Sequence, residues 1–211
     1  MDTSEKIELM EDRALAYRFL SRAFAAAPDT AFLASMRAAA SDDESHPLAA
    51  FFAELAQGDD ERLRIDAEAD YNRLFLGMSA HPVAPYESVY TSPVHLLMQE
   101  ARDEVTALYR EAGLEAPAGF DLPEDHVALE FDFMAKLAER TAAALAAGEA
   151  DEAERLVETQ AAFGRDHLAA WVPALCDDVE KRASVPLYRG LAAMARDQVL
   201  ADRDIMDELE N

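Results

Sequence analysis

Residues 123–148 read PEDHVALEFDFMAKLAERTAAALAAG. Proline suits a first helical position, and glycine is a common residue just past a helix end. Between them Val127, Phe131, Met134, Ala138 and Leu145 recur close to the i, i+4, i+7 spacing of one helical face. The spacing predicts a long helix opened by Pro123 and ended by Gly148, and the flanking sequence repeats the pattern. Ile7 to about Ala26 places Leu9, Ala16, Leu20 and Phe24 near one face. A short helix follows from Asp29 to Ala40. Pro47 opens a third, with Gly58 beyond its end. Asp59 caps a fourth that runs to Leu76 and stops at Gly77. Ser92 and Pro93 read as a cap and a first-turn proline for a helix with Leu97, Ala101, Val105 and Leu108 in line, ending at Gly113. Val157, Ala161, Gly164, Leu168 and Trp171 share a further face, which Pro173 is expected to interrupt before a short helix through Cys176. A last helix from about Ser184 carries Leu187, Leu191, Met194 and Val199. No strand alternation of useful length occurs. The expectation is an all-α fold of about ten helices in one bundle over residues 1–211. The break GLEAPAGFDL at 113–122 could act as a hinge or divide lobes 1–112 and 123–211.

Composition narrows the function. The chain has 211 residues, 51% of them hydrophobic, enough for a real core. Lys and Arg total 19 against 43 Asp and Glu, a net charge of −24. Such a surface repels nucleic-acid phosphates and anionic membranes and steers cationic partners inward. The N-terminus MDTSEKIELMED lacks an apolar segment, and no apolar run approaches the ~20 residues that span a bilayer. A cytoplasmic protein without stable membrane insertion is expected. The single cysteine, Cys176, has acids beside it and reads as a structural thiol.

Three constellations could carry chemistry. DYNRLFLG at 70–77 places Tyr71, Leu74 and Phe75 on one face. It runs into MSAHPVAPYESVYT at 78–91, where Pro82 and Pro85 break helix and Val83, Tyr86, Val89 and Tyr90 are large and apolar or amphipathic. Core packing explains the helix alone. With the loop folded beside it, the prolines and aromatics offer a low-entropy apolar groove for a peptide. The second is PEDHVALEFDFM, in which Glu124 and Asp125 suit a helix first turn. His126 and Glu130 share a face and suit a polar contact, a proton-transfer pair or two metal ligands. A metal would need a further ligand, for which His81, His95 and His167 are available only at distant positions. The third, AFGRDHLAAWVP at 162–173, repeats Phe163, His167 and Trp171 every four residues, as a packing seam does. No nucleophile motif and no nucleotide-binding glycine loop occurs.

Together YNRLFLG (71–77), APYESVY (84–90), PEDHVALEFDFM, HLAAWVP and the closing PLYRGLAAMARDQVL resemble the TorD/DmsD/NarJ family of redox-enzyme maturation chaperones. They occur in the family's order from residue 70 onward. The family often has GPG where this chain has Gly77, Met78 and Ser79, and a proline pair where it has Ala84 and Pro85. The resemblance implies an all-helical fold, sometimes a domain-swapped homodimer. It implies a non-enzymatic, cofactor-free partner of an exported molybdoenzyme. Such a protein binds the apo catalytic subunit and its twin-arginine signal peptide, aids cofactor loading and delays export. It implies leader-binding roles for Tyr71, Leu74, Phe75, Pro85, Tyr86, Ser88, Tyr90, Pro123, Asp125 and His126. A twin-arginine leader has a cationic head and an apolar stretch. Tyr71, Leu74, Phe75 and Tyr86 could receive the apolar part, and Glu87, Glu124 and Asp125 the arginines. The competing enzymatic reading is an α-helical metal-dependent hydrolase using His126 and Glu130; a helical adaptor without an exported client is a third.

Overall fold

The computed structural model describes residues 1–114 and 122–209. Its elements are helical: α1 Thr3–Ala25, α2 Thr30–Ala38, α3 Ala49–Leu55, α4 Asp60–Phe75, α5 Glu87–Thr91, α6 Glu100–Glu111, α7 Val127–Ala147, α8 Ala150–Phe163, α9 Ala169–Arg182 and α10 Pro186–Leu209. A π turn, Gly164–Leu168, joins α8 to α9. The all-α class is as the sequence predicts.

α7 is the centre. Val127, Phe131, Met134 and Ala138 are buried as their spacing requires, but so are Leu129, Phe133, Ala135 and Leu137. A helix covered on most sides is a core helix rather than an amphipathic surface helix. α1 lies along it as its principal partner, and α8 packs beside it. The inward face of α1 is not quite the one expected: Met10, Ala14, Tyr17, Leu20 and Phe24 are buried, while Leu9 and Ala16 are half-buried. The difference comes from Arg13, which is buried because it is paired. Its guanidinium donates to Asp202 of α10 at 2.5 and 2.8 Å and to Gln160 of α8 at 2.7 Å. Tyr17 donates to the same Asp202 at 2.8 Å, and Gln160 donates to Thr141 of α7 at 2.8 Å. One satisfied polar cluster thus joins four helices inside an apolar core.

Several boundaries differ from the expectation. α7 begins at Val127, with His126 as its cap, instead of at Pro123. The reason is a tertiary bond: the Val127 N–H goes to the Pro85 carbonyl at 2.9 Å, outside the helix. α6 begins at Glu100 rather than after Ser92 and Pro93, so Leu97 is not on its buried face. Pro173 does not interrupt; it sits inside α9, and the ladder irregularity falls just ahead of it in the π turn. There the Ala169 N–H returns to the Gly164 carbonyl, a five-residue reach that leaves slack where proline removes a bond. Residues 87–91, read as loop, form the short α5. Most of the break at 113–122, with its hinge and lobe division, lies outside the described residues. The apolar core nevertheless combines side chains from before and after it, such as Tyr17, Leu20 and Phe24 with Phe131, Met134 and Leu187.

Cys176 is fully buried, and burial pushes its thiol up to about 12, which suits a structural residue. Among the described residues no helix is long and apolar enough to cross a membrane. Among the described glycines, Gly190 of α10 is the one where an added Cβ would meet another segment. A Cβ there would stand 2.6 Å from the Pro47 carbonyl oxygen and 2.6 Å from Leu48 Cδ2. Because one neighbour is backbone, a rotamer change cannot relieve it. Gly190→Ala is therefore expected to lower stability by about 1–3 kcal/mol despite alanine's better helix propensity. Urea denaturation checks this; an unchanged midpoint would mean that the 47–48 segment yields freely.

Candidate functional site

The loop that follows α4 is tied down along its length. Leu76 and Met78 send their N–H groups back to the Asn72 carbonyl, and Val83, itself buried, donates to the Leu74 carbonyl at 2.7 Å. The chain then reaches α7. Tyr86 and His126 form an isolated antiparallel bridge, the one β pairing among the described residues. Its bonds are Val127 N–H to Pro85 O at 2.9 Å and Glu87 N–H to Asp125 O at 3.0 Å. The Asp125 carboxylate also accepts the Ser88 N–H at 2.9 Å. Asp125 therefore caps α5, a long-range partner, rather than its own helix as its first-turn position suggested. His126 caps α7 in its place, its Nδ1 accepting the Ala128 N–H at 3.1 Å. The Tyr86 ring stands edge-on to the His126 ring, with centroids 5.0 Å apart.

Behind the bridge lies a buried polar cluster. Glu87 accepts from, or pairs with, His167 Nδ1 at 3.0 and 3.1 Å. Trp171 donates its indole N–H to Glu130 at 3.0 Å. Burial and the charge of nearby Glu87 push the Glu130 carboxyl well above its ordinary range. Burial opposes charge on His167, but the hydrogen bond and charge of Glu87 outweigh it and raise its pKa. Burial alone lowers His126 to about 4. Phe163, His167 and Trp171 form the buried seam their spacing suggested, with the Phe163 and His167 rings 4.9 Å apart.

The residues singled out from sequence divide into two sets. Tyr71, Leu74, Pro85, Glu87, Ser88, Asp125 and His126 are buried. Tyr71 donates to the Phe24 carbonyl at 3.1 Å and packs against Tyr188. Phe75, Tyr86, Tyr90, Pro123 and Glu124 are half-buried. Phe75 meets Phe24 and Tyr188 edgewise and Tyr71 at a tilt, and Tyr90 packs on Trp171 with its hydroxyl 3.3 Å from Asp178. Beyond Phe75, Leu76 and Met78 are 58% and 72% exposed, so apolar surface continues outward from this edge. The carboxylates expected to await arginines have partners within the fold: Asp125 and Glu87 as above, and Glu124 with Arg102 at 2.6 Å. His126 Nδ1 accepts the Ala128 N–H and Glu130 accepts from Trp171 through one oxygen, and among the described residues no group of three or more candidate ligands could hold a metal ion.

Sequence reading missed two positioning contacts, one made by Asp70 and one between His167 and Glu87. Asp70 is buried and accepts the Ser184 and Val185 N–H groups at 2.8 and 3.0 Å, pinning the start of α10 to α4, and it also binds Arg73. A buried acid inside DYNRLFLG was the available signal. The His167–Glu87 pair joins residues 80 positions apart, and nothing local marks it.

The chain is similar to several known proteins. The sequence profile of the family described as nitrate reductase delta subunit matches residues 37–177. A chaperone protein TorD of Photobacterium profundum is 30% identical over 128 residues, covering 61% of this chain and 58% of that protein. One from Vibrio cholerae is 28% identical over 154 residues, covering 72% and 67%. A crystal structure described as a redox enzyme maturation protein of Archaeoglobus fulgidus superposes with a TM-score of 0.50 over 92% of this chain and 93% of that one, at 19% identity. That last likeness is one of fold.

The site yields two expectations. Asp125→Ala removes the cap of α5 and should cost about 1–3 kcal/mol of stability; thermal denaturation at wild-type values would show that the cap is dispensable. The second concerns pH. An unfolded histidine takes its proton near 6.5, whereas folded His126 refuses it until about 4. Between these values the unfolded chain binds the extra proton, so stability falls as pH drops through that window. The raised His167 acts oppositely: its contribution is present below 6.5 and fades as pH rises through its folded value. Chemical denaturation from pH 8 to 4 should therefore give a shallower loss between pH 6.5 and 4 for His126→Gln, while His167→Gln should lack the stability gained as pH falls from 8 toward 6.5 and run parallel to wild type below that. Parallel profiles for both would contradict the assignment.

Proposed function

The chain belongs to the nitrate reductase delta subunit family, and from that membership and the site geometry we propose that it is a cytoplasmic maturation chaperone. In this reading it binds the twin-arginine leader and the apo form of an exported molybdenum-cofactor oxidoreductase, assists cofactor loading and delays export. It acts by binding, without catalysis of its own. The observation that carries the reading is the Tyr86–His126 bridge, which holds an aromatic loop against the N-terminus of the core helix. A recognition loop fixed in this way loses little entropy on binding. The relatives described as TorD chaperones support it, as does the acidic surface, which draws a cationic leader.

The two sets of residues take different roles. Phe75, Tyr86, Tyr90 and Pro123, with their exposed neighbours Leu76 and Met78, meet the apolar stretch of the leader. Glu124 meets an arginine by exchanging Arg102 for it. Tyr71, Leu74, Pro85, Glu87, Ser88, Asp125 and His126 hold these groups in place from beneath. Apolar contact supplies most of the affinity, because a half-exposed ion pair contributes only about 0–1 kcal/mol. Calorimetry with a synthetic leader of the client tests this. Phe75→Ala and Tyr86→Ala should each weaken binding by about tenfold or more, and Glu124→Gln by no more than about fivefold. The reverse order would overturn the division of labour, and wild-type affinity in all three would overturn the site.

A further inference from the structure

The bridge and the helix caps account for Asp125 and His126, but not for the pair behind them. Both Glu87 carboxylate oxygens face His167 Nδ1, at 3.0 and 3.1 Å, with the two side chains 3% and 9% exposed. The contact is a polar clamp between α5 and the π turn. Glu130 continues it inward. Its Oε2 accepts the Trp171 indole N–H, its Oε1 is buried and receives no hydrogen bond, and Glu87 is the charge that acts on it most. The pair also divides two open clefts. His167 lines one of about 690 Å³ between α6 and α8, so its ring exchanges a proton with water. Glu87 lines another, of about 410 Å³, beside Ser92 and Gln99.

The surroundings favour a proton on His167. The charges that act on it most are acids: Glu87, Glu104 of α6, and Asp166 beside it, which pairs with Arg165. Glu158 of α8 lines the same cleft, and neither cleft is lined by a lysine or arginine. Deeper in stand Glu130, Asp125 and the Tyr109 hydroxyl of α6. On α9 and α10, which also touch the turn, Asp177 and Glu180 pair with Arg196, Asp178 with Arg182, and Asp202 with Arg13. As pH rises through the folded His167 value, which lies above the ordinary 6.5, the proton leaves and the buried Glu87 carboxylate loses its counter-charge. A buried charge stripped of its partner is costly. α5 has only five residues, so it is the element that yields. We propose that His167 and Glu87 form a proton-controlled latch on the leader site. Protonated, the pair clamps α5 and holds Tyr86 and Tyr90 in place for a partner; deprotonated, it lets α5 loosen and the leader leave. The inference deepens the leader-binding reading and rests on it for the partner, while the latch itself is measurable on the free protein.

Trp171 is the single tryptophan, and it touches the latch twice, donating to Glu130 and packing on Tyr90. Its indole N–H gives one resonance in a nitrogen-15 NMR spectrum of the free protein. That resonance should titrate between about pH 6 and 9 with a midpoint above 6.5, and should stay still in His167→Gln. Glu104→Gln, at an exposed acid, should fold as wild type and lower the midpoint. His81→Gln, at an exposed histidine of the loop after α4, should change nothing. Calorimetry with a synthetic twin-arginine leader peptide gives the second readout. Wild-type affinity should fall by about three- to tenfold from about pH 6.5 to 8.5, with a nearly flat profile in His167→Gln. An indole resonance that does not move, or that moves equally in His167→Gln, overturns the latch. So does a leader affinity that stays constant while the resonance titrates, since the clamp would then hold structure alone. Absence of leader binding at every pH overturns the leader reading and with it the control of binding, with the latch still read in the indole titration.

Discussion

Two backbone hydrogen bonds organise the candidate site: Val127 N–H to Pro85 O, and Glu87 N–H to Asp125 O. They pair a proline-rich loop with the first residues of the most buried helix. Everything around them follows from satisfying the groups they bury. The Asp125 carboxylate takes the next free N–H, at Ser88, and so starts α5. His126 takes the Ala128 N–H and starts α7. α5 in turn carries Glu87 to His167 and Tyr90 to Trp171, fastening the loop to the π turn and to α9. A buried bridge of this kind is all-or-none, because an unpaired amide in its position has no water to replace the lost partner.

The buried ionisable groups belong to the same scheme. Glu87, Asp125, His126, Glu130 and His167 sit within the fold at 0–7% exposure. Each is bound to a group on another segment or to a helix end, so they specify how α5, α7 and the π turn meet. The arrangement is one of positioning: the groups whose residue types suggest chemistry or ligand capture are the ones that hold the surface aromatics in place. In the proposed function, binding then rests on half-buried Phe75, Tyr86 and Tyr90 and on the apolar residues beyond them.

The class of the fold was legible in the sequence because helical periodicity is local. The stripes of α4, α7 and α10 and the stops at Gly77, Gly113 and Gly148, each with positive φ, needed only neighbours a few residues away. The starts of α6 and α7 were not legible, since each is set by tertiary bonds: Gln99 to Ser88, and Val127 to Pro85. Pro173 misled for a related reason, as the local rule carries no knowledge of the π turn ahead of it. At the site, the sequence located the loop and the PEDH turn as belonging together. It did not separate buried from surface-facing members, because burial of Tyr71, Asp125 and Glu87 depends on α1, α5 and α9 closing over them.

If the bridge organises the site, the loop is pinned before any partner arrives. Residue-resolved amide hydrogen exchange on the free protein measures this most directly. Glu87, Ser88 and Val127 should exchange as slowly as amides in the middle of α7, since their opening requires breaking a buried bridge. Exchange of these three at the rate of exposed loop amides, with protection gained only when a leader peptide is added, would contradict it.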